Sequence, residues 1–524
     1  MKPRFRQSMN WLHTWSGFIF AWLLYFIFIT GSAGYFENEI DRWMQPERVV
    51  VQKPMDDADI LAMGTRQLSQ SADDASQWYI SFPSSRDPYI GISWLQPADA
   101  SKGTVRQWLD RHLHPDSGDI ISARQTSGGE TLYRLHYTLY YMPLQLGYIL
   151  TSAAAMLMLI ALISGVIIHK KIFLEFFTFR TGKGLRSWLD IHNIFSVLPL
   201  PFHLMITYSG LMLLMTVTMA TVIDVTYGEG EQKHRQFYTA AQAEITTEQV
   251  ISMSAAQLSP EAALTDAKAR YASQPVSYVG ILARGTENQQ IEVWFASQRS
   301  IEFASMLSYR EQDGQVVMSL SEGKAGAAAR VYDVLEHLHE GLFADIYLRW
   351  LYFICGLLGA GMIATGAIMW LKKRLAKGQH SASCALRRLA SINAGMILGI
   401  PVAIACYFAS NRLLPFDMAF RAEWELHCLF IGLLLSIGLA VCSAAQSVWR
   451  NLCWLAAVMF GWLPLLNALT TEHNLLVSLI QADWLMLGFD LCMLVFSAAF
   501  VLLAIRLSKT TAATLSGDNV TRPL

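Results

Sequence analysis

Histidines recurring at matched intervals are the residues of this chain best placed to do chemistry. Trp11-Leu12-His13 leads to Thr30-Gly31, and Trp188-Leu189-Asp190-Ile191-His192 leads to Ser209-Gly210, with 17 residues between His and Gly in both. Leu135-His136 leads to Ser164-Gly165 and Lys170-Lys171, while Leu338-His339 leads to Thr365-Gly366 and Lys372-Lys373, at a spacing that differs by two residues. The chain therefore reads as an internal duplication of a helix, an insert and a helix, repeated in parallel about a pseudo-twofold axis along the membrane normal. Under that axis His13 partners His192 toward one membrane face, and His136 partners His339 toward the other. Two imidazoles on facing helices are what a b-type haem needs, one on each side of its iron, and a bundle core supplies the dry slot between them. Ligation uses the neutral imidazole, which removes the objection to an ionisable group at membrane depth.

His203 breaks the symmetry. It lies eleven residues past His192, on the order of 16 Å further along a helix, and its counterpart Leu24 is apolar. A histidine that deep is a functional candidate, either replacing a symmetric ligand or passing protons or electrons between levels. His169, beside Lys170, reads as an interfacial anchor. His427 and His473 have no evident partner, and His112, His114, His234, His337 and His380 read as solvent-side residues.

The elements that must position these histidines follow from composition. Of 524 residues, 53% are apolar and 15% charged, so an ordinary soluble enzyme is excluded and much of the chain belongs in a bilayer. Forty basic against 41 acidic residues give no electrostatic case for nucleic acid as a partner. The seven cysteines form no CxxC or CxxCH, which speaks against zinc ribbons, covalently attached haem and iron–sulfur centres.

Uncharged stretches long enough to cross the hydrocarbon occur near 11–36, 143–169, 191–223, 347–371, 391–410, 424–446, 450–469 and 483–506. Basic residues at Lys2, Arg4 and Arg6, after the second span and at Lys372-Lys373-Arg374 predict that those ends and both termini are cytoplasmic. The inserts 37–135 and 224–335 then lie on the opposite side, the periplasm of a bacterium. In the first, a helix near 57–70 precedes strands at 78–82 and 89–94 and a turn at Asp116-Ser117-Gly118. In the second, a helix near 247–272 precedes strands at 276–281, 290–295 and 300–308 and a turn at Gln312-Asp313-Gly314. Both patterns predict small α+β domains of one type. The expected order is a first span in 1–36, domain 37–135, second span 136–171, cytoplasmic loop 172–190, third span 191–223, domain 224–335, fourth span 336–374, loop 375–390, four further spans in 391–506 and a cytoplasmic tail 507–524. The basic, apolar N-terminus is expected to stay as a working helix and not to be cleaved as a signal peptide.

Leu12-His13-x-Trp15-x-Gly17 with Thr30-Gly31, the Trp188 to His192 motif, Leu198-Pro199-Leu200-Pro201-Phe202-His203 through Ser209-Gly210, and Leu338-His339-Glu340-Gly341 with Thr365-Gly366 together resemble the PepSY-associated transmembrane family. The resemblance covers about residues 8–375, and the inserts resemble divergent PepSY domains closed by Asp116-Ser117-Gly118 and Asp313-Gly314. It implies an all-α integral membrane bundle of about eight helices carrying two small α+β PepSY-like periplasmic domains, in a bacterial inner membrane. The nearest branch, the ferric-siderophore reductases, implies two b-type haems that pass electrons to a ferric chelate at the periplasmic face, with His13, His136, His192, His203 and His339 as candidate ligands to haem iron. Which four of the five bind is left open.

No flavin or nicotinamide domain accompanies these spans, because the cytoplasmic loops are short and no GxGxxG follows a strand. A quinol or a soluble flavin reductase is then the expected electron donor. The four spans of 391–506 are expected to serve as scaffold or partner dock. Trp43, Tyr140 and Tyr141 are equally readable as substrate lining and as an interfacial belt. Two other readings compete: a non-redox PepSY-type binding or regulatory module anchored by the helices, and a transporter built on a parallel repeat.

Overall fold

The computed structural model describes residues 3–98, 106–169, 179–180, 182–228, 258–296, 301, 304–321, 327–377 and 384–515. In chain order its principal elements are α1 (Pro3–Ile19), α2 (Ala21–Gly34), α3 (Glu37–Met44), α4 (Asp57–Ser71), β1 (Trp78–Ser81), β2 (Ile90–Gln96), β3 (Gln107–Leu113), α5 (Gly128–Thr138), α6 (Leu144–Ile168), α7 (Leu185–Val197) and α8 (Leu200–Leu213). There follow α9 (Pro260–Arg270), β4 (Val276–Leu282), β5 (Gln290–Phe295), β6 (Met306–Arg310), β7 (Val316–Leu320), α10 (Ala327–Glu340), α11 (Ile346–Lys377), α12 (Cys384–Leu413), α13 (Arg421–Cys442), α14 (Val448–Thr470) and α15 (Trp484–Leu515). They form two compact units, one of Met1–Pro46, Arg124–Thr218 and Asp345–Leu524, the other of Glu47–Ala123 and Met219–Ala344.

The first unit is a multi-pass membrane bundle. Among the described residues six helices, α6 and α11 to α15, are long and apolar enough to cross a bilayer, and two bent pairs raise the count to as many as eight. The pairs are α1 with α2, bent by 63°, and α7 with α8, bent by 64°. Pro199 and Pro201 account for the second break, since each lacks the N–H that a continuous helix requires. No proline marks the first, where Phe20 leaves the helical region at φ −108° and ψ 22°. Both breaks fall seven residues past a histidine, at Phe20 after His13 and at Pro199 after His192.

The unit boundaries differ from the insert boundaries expected from sequence. Helices α3 and α5 belong to the membrane unit because Trp43, Met44, Leu132 and Leu135 are buried in its core with Ala21, Leu24 and Phe408. The second span is also not continuous back to residue 136. Between α5 and α6 the backbone turns through Leu139 and Tyr141, both at positive φ (57° and 58°), to Pro143. Helix α12 docks on α2 through Trp22 Nε1–H to Asn393 Oδ1 (2.9 Å) and the Tyr25 hydroxyl to the Ile397 carbonyl (2.8 Å).

The second unit is built on one antiparallel sheet ordered β3-β2-β1-β4-β5-β6-β7. Each insert contributes a meander, and the two join edge to edge where β1 pairs with β4, Trp78 opposite Ile281 and Ser81 opposite Tyr278. Alternation puts Trp78, Ile80, Val279 and Ile281 on the face that meets Leu61, Leu68 and Leu264, giving the two halves a single core. Joining β1 to β4 pairs two strand edges that separate domains would each expose. Strands β3 and β7, unassigned from sequence, are the outer edges, and the last of the expected strands is seen at Met306–Arg310, two residues past its expected end, while 300, 302 and 303 lie outside the described residues. The expected helix near 247–272 is seen as Pro260–Arg270, and its first part lies outside the described residues, as do His234, His380 and Lys170-Lys171.

Candidate functional site

The bent helices bring His13 and His192 together. Their ring centroids are 6.4 Å apart with planes at 75°. His13 Nδ1 bonds the carbonyl of Ala161 on α6 (2.8 Å), and His192 Nδ1 bonds the carbonyl of Met362 on α11 (2.9 Å) with Thr365 Oγ1 at 3.1 Å. Each carbonyl stands four residues before a glycine, Gly165 and Gly366 respectively. Gly165 makes room for its ring, since a Cβ there would lie 3.1 Å from His13 Cε1, whereas one at Gly366 would lie at ordinary contact distance, 3.5 Å from His192 Cε1. A carbonyl at Nδ1 requires the proton there, so Nε2 is the lone-pair nitrogen in both rings. Among the described residues neither Nε2 has a hydrogen-bond partner.

Both rings line a cavity of about 880 Å³, within the range of cofactor sites. Its inner wall is apolar, with Leu24, Met158, Leu162, Val197 and Met362, while Asn10, Thr14, Lys373 and Arg374 contribute polar groups. Arg374 is held by stacking on Trp370, its guanidinium carbon 3.4 Å from the ring centroid. His169 also lines this cavity, its Nε2 3.1 Å from Asn193 Nδ2. Sequence reasoning passed over Arg374 and Lys373 because a basic cluster after a span already had a topological explanation.

The other candidates are placed separately. His203 is fully buried, with Nε2–H directed to the Cys355 carbonyl (3.2 Å) and its ring edge-on to Phe28 at 5.8 Å. Its Nδ1 is buried with no hydrogen-bond partner among the described residues. Gly359 faces both groups, and any side chain there would strike Phe28 and His203. His136 lies on α5 against Gly31 of α2, whose Cβ would stand 3.5 Å from the imidazole, and its Nδ1 bonds the Tyr133 carbonyl. Tyr133 and Tyr137 flank it at 5.2 and 5.1 Å. His203 and His136 thus meet the same helix one turn apart, at Phe28 and Gly31. His339 is in the last turn of α10, in the second unit.

Three further expectations are revised. Trp43 is fully buried, its Nε1–H on Asp490 Oδ1 (3.1 Å) and its ring stacked on Phe489, so it lines no open substrate site. His427 has a partner after all, stacking on Tyr141 at 5.7 Å and sharing a hydrogen bond with its hydroxyl. His112 is inside the sheet unit, where burial and the nearby Arg48 push its pKa down to about 3. On α10, burial and the neighbouring Glu340 and Asp333 push Glu336 up to about 7.

The chain belongs to the family described as the PepSY-associated TM region, whose model matches residues 10–373. No curated protein matches it. The matched region begins within α1, takes in α2, α6, α7, α8 and the whole second unit, and ends within α11, before α12.

Proposed function

We propose, with that membership as the premise, that the protein passes electrons across a bacterial inner membrane and reduces Fe(III) in a ferric siderophore or similar chelate to Fe(II) at the periplasmic face. Two b-type haems would supply the one-electron chemistry when bound. The observation that carries the reading is the His13–His192 pair. The two rings stand 6.4 Å apart on one cavity wall and are the residues that would hold haem iron. Two neutral imidazoles with free Nε2 atoms are a donor set suited to haem iron. The apolar wall would exclude water, and Lys373 and Arg374 would meet carboxylates at the polar end.

The chain's own residues then do three things. The Ala161 and Met362 carbonyls hold the His13 and His192 tautomers, which fixes the direction of each lone pair. The basic residues that follow the second span in the sequence, with Lys372-Lys373-Arg374, would put this site on the cytoplasmic side, facing a quinol or soluble flavin-reductase donor. His136 and His203, which meet α2 at Gly31 and Phe28, would hold the second group nearer the periplasmic side. Each electron from the donor converts one Fe(III) to Fe(II), a less charged and softer ion that a hard-oxygen chelator holds less tightly.

The test is a reduced-minus-oxidised visible spectrum of the purified chain, with haem quantified per chain. Low-spin b-type bands near two haems per chain are expected, and reduction of a ferric chelate should follow. A protein that stays colourless after expression with haem supplied would overturn the proposal and favour a non-redox binding module.

A further inference from the structure

The C-terminal helices bury charge around the piece of chain that leads into α5. Glu425 of α13, fully buried, accepts four hydrogen bonds: from Arg421 Nη1 (2.5 Å) and Asn411 Nδ2 (2.7 Å) at Oε1, and from Thr126 Oγ1 (2.6 Å) and the Ser127 amide (3.0 Å) at Oε2. Arg421 reaches on to the Gln125 carbonyl (2.5 Å), and Ser127 Oγ donates to the Ala422 carbonyl (2.6 Å). Tyr407 of α12 donates to the Gly128 carbonyl (2.7 Å). From the other side, Asp41 of α3 accepts the Gly129 amide (2.6 Å). Gly128 is at φ +63°, and a side chain there would collide with Asp41. Residues 125–129 are thereby held on consecutive groups, with the Gln125 and Gly128 carbonyls and the Ser127 amide on α12 and α13 and the Gly129 amide on α3.

A carboxylate with about four lone-pair sites, all four taken, has no capacity left for a substrate or a moving proton. Its partners are backbone and side-chain groups of one short segment, so what it does is hold that segment. That segment is the N-terminal entry to α5, and α5 carries His136. Thr126, Ser127 and Gly128 are eight to ten residues before His136, two to three helical turns away.

We infer that α12 and α13 form a latch on residues 125–129, and that Glu425, Arg421, Tyr407 and Asp41 are positioning residues for His136. The purpose assigned to His136 rests on the haem reading above, whereas the latch stands apart from it. Residues 391–506 then act specifically on α5, setting its height and rotation against Gly31 of α2.

The experiment compares full-length wild type, Glu425→Gln and Tyr407→Phe in detergent by amide hydrogen exchange and by electron paramagnetic resonance of the low-spin haems. In Glu425→Gln, exchange in residues 128–138 should rise about tenfold or more while α1 is unchanged. The haem signal that His136→Ala abolishes should shift, and the signal that His13→Ala abolishes should not. Tyr407→Phe removes one hydroxyl and should move the same observables in the same direction by less, which decides the matter if Glu425→Gln fails to fold. Unchanged exchange in 128–138, an equal rise in α1, or equal shifts of both haem signals would overturn the latch. A chain without haem would overturn the haem reading alone, and the exchange data would still decide the latch.

Discussion

Around His13 and His192 each imidazole has one nitrogen bonded to a carbonyl and the other left to a cavity of about 880 Å³. Around Arg421 and Glu425 every carboxylate oxygen is occupied twice over by donors within 3.0 Å. Both regions bury polar groups in the same bundle, and the difference lies in what is left over. An unspent lone pair beside open space is suited to an incoming ligand, whereas a saturated carboxylate is suited to holding chain segments together. Burial of a charged or polar side chain is therefore not in itself a sign of chemistry. The remaining bonding capacity decides.

The comparison predicts opposite responses to substitution. If the chain holds two haems as proposed, His13→Ala or His192→Ala should remove one of them, halving the haem content per chain, with the bundle still folded because neither ring's loss strands a charge. Retention of full haem content in both variants would break the contrast. At the saturated site, Arg421→Met alone leaves Glu425 buried without its ion-pair partner and should destabilise by about 3–5 kcal/mol. The double variant Arg421→Met with Glu425→Leu should recover much of that loss, because the stranded charge is gone. A thermal-unfolding cycle over the four proteins measures the coupling, and simple additivity of the two single effects would count against a saturated pair.

A finer test lies within the histidine site itself. Gly165→Ala places a methyl 3.1 Å from His13 Cε1, whereas Gly366→Ala places one 3.5 Å from His192 Cε1, at ordinary contact distance. The first should cost about 1–3 kcal/mol through displacement of the ring. The second should be near neutral, or slightly stabilising through the helix propensity of alanine. Haem retention during dilution would rank the two variants, and equal behaviour would show that the two halves tolerate the methyl alike.

Much of this is legible in the sequence. The 17-residue spacing from His13 to Gly31 and from His192 to Gly210 depends only on helix geometry, and it anticipates which rings meet. Pro199 and Pro201 mark one bend. The other, at Phe20, has no residue that demands it and no signal that announces it. The latch escapes for a different reason. Arg412 and Arg421 flank apolar stretches, and hydropathy alone reads such residues as the watery ends of spans. Only the packing shows that α12 runs on to Leu413 and α13 starts at Arg421, with both guanidinium groups paired inside. Pairing between residues as distant as Thr126 and Glu425 has no local signature. The seam between β1 and β4 is similar, because each meander looks complete by itself and edge pairing depends on the partner's position.

Glu336 on α10 offers the smallest and most conditional effect, and it extends the same contrast to the second unit. Its Oε2 is buried with no hydrogen-bond partner among the described residues, the reverse of Glu425, and burial with Glu340 and Asp333 nearby raises its pKa from an ordinary 4.5 to about 7. Between those values the folded chain binds more protons than the unfolded chain, so this group's contribution falls as pH rises through the interval and is level outside it. Glu336→Gln removes the dependence. The variant should match wild type near about pH 4 and melt higher near about pH 8, by no more than about 1 kcal/mol once solvent screening at a partly exposed site is allowed for. Melting temperatures of both proteins at the two pH values measure it. If wild type were as stable as Glu336→Gln at the higher pH, the carboxylate would have to be ionised and compensated there, as Glu425 is, and the contrast between a spent and an unspent acid would not extend to α10.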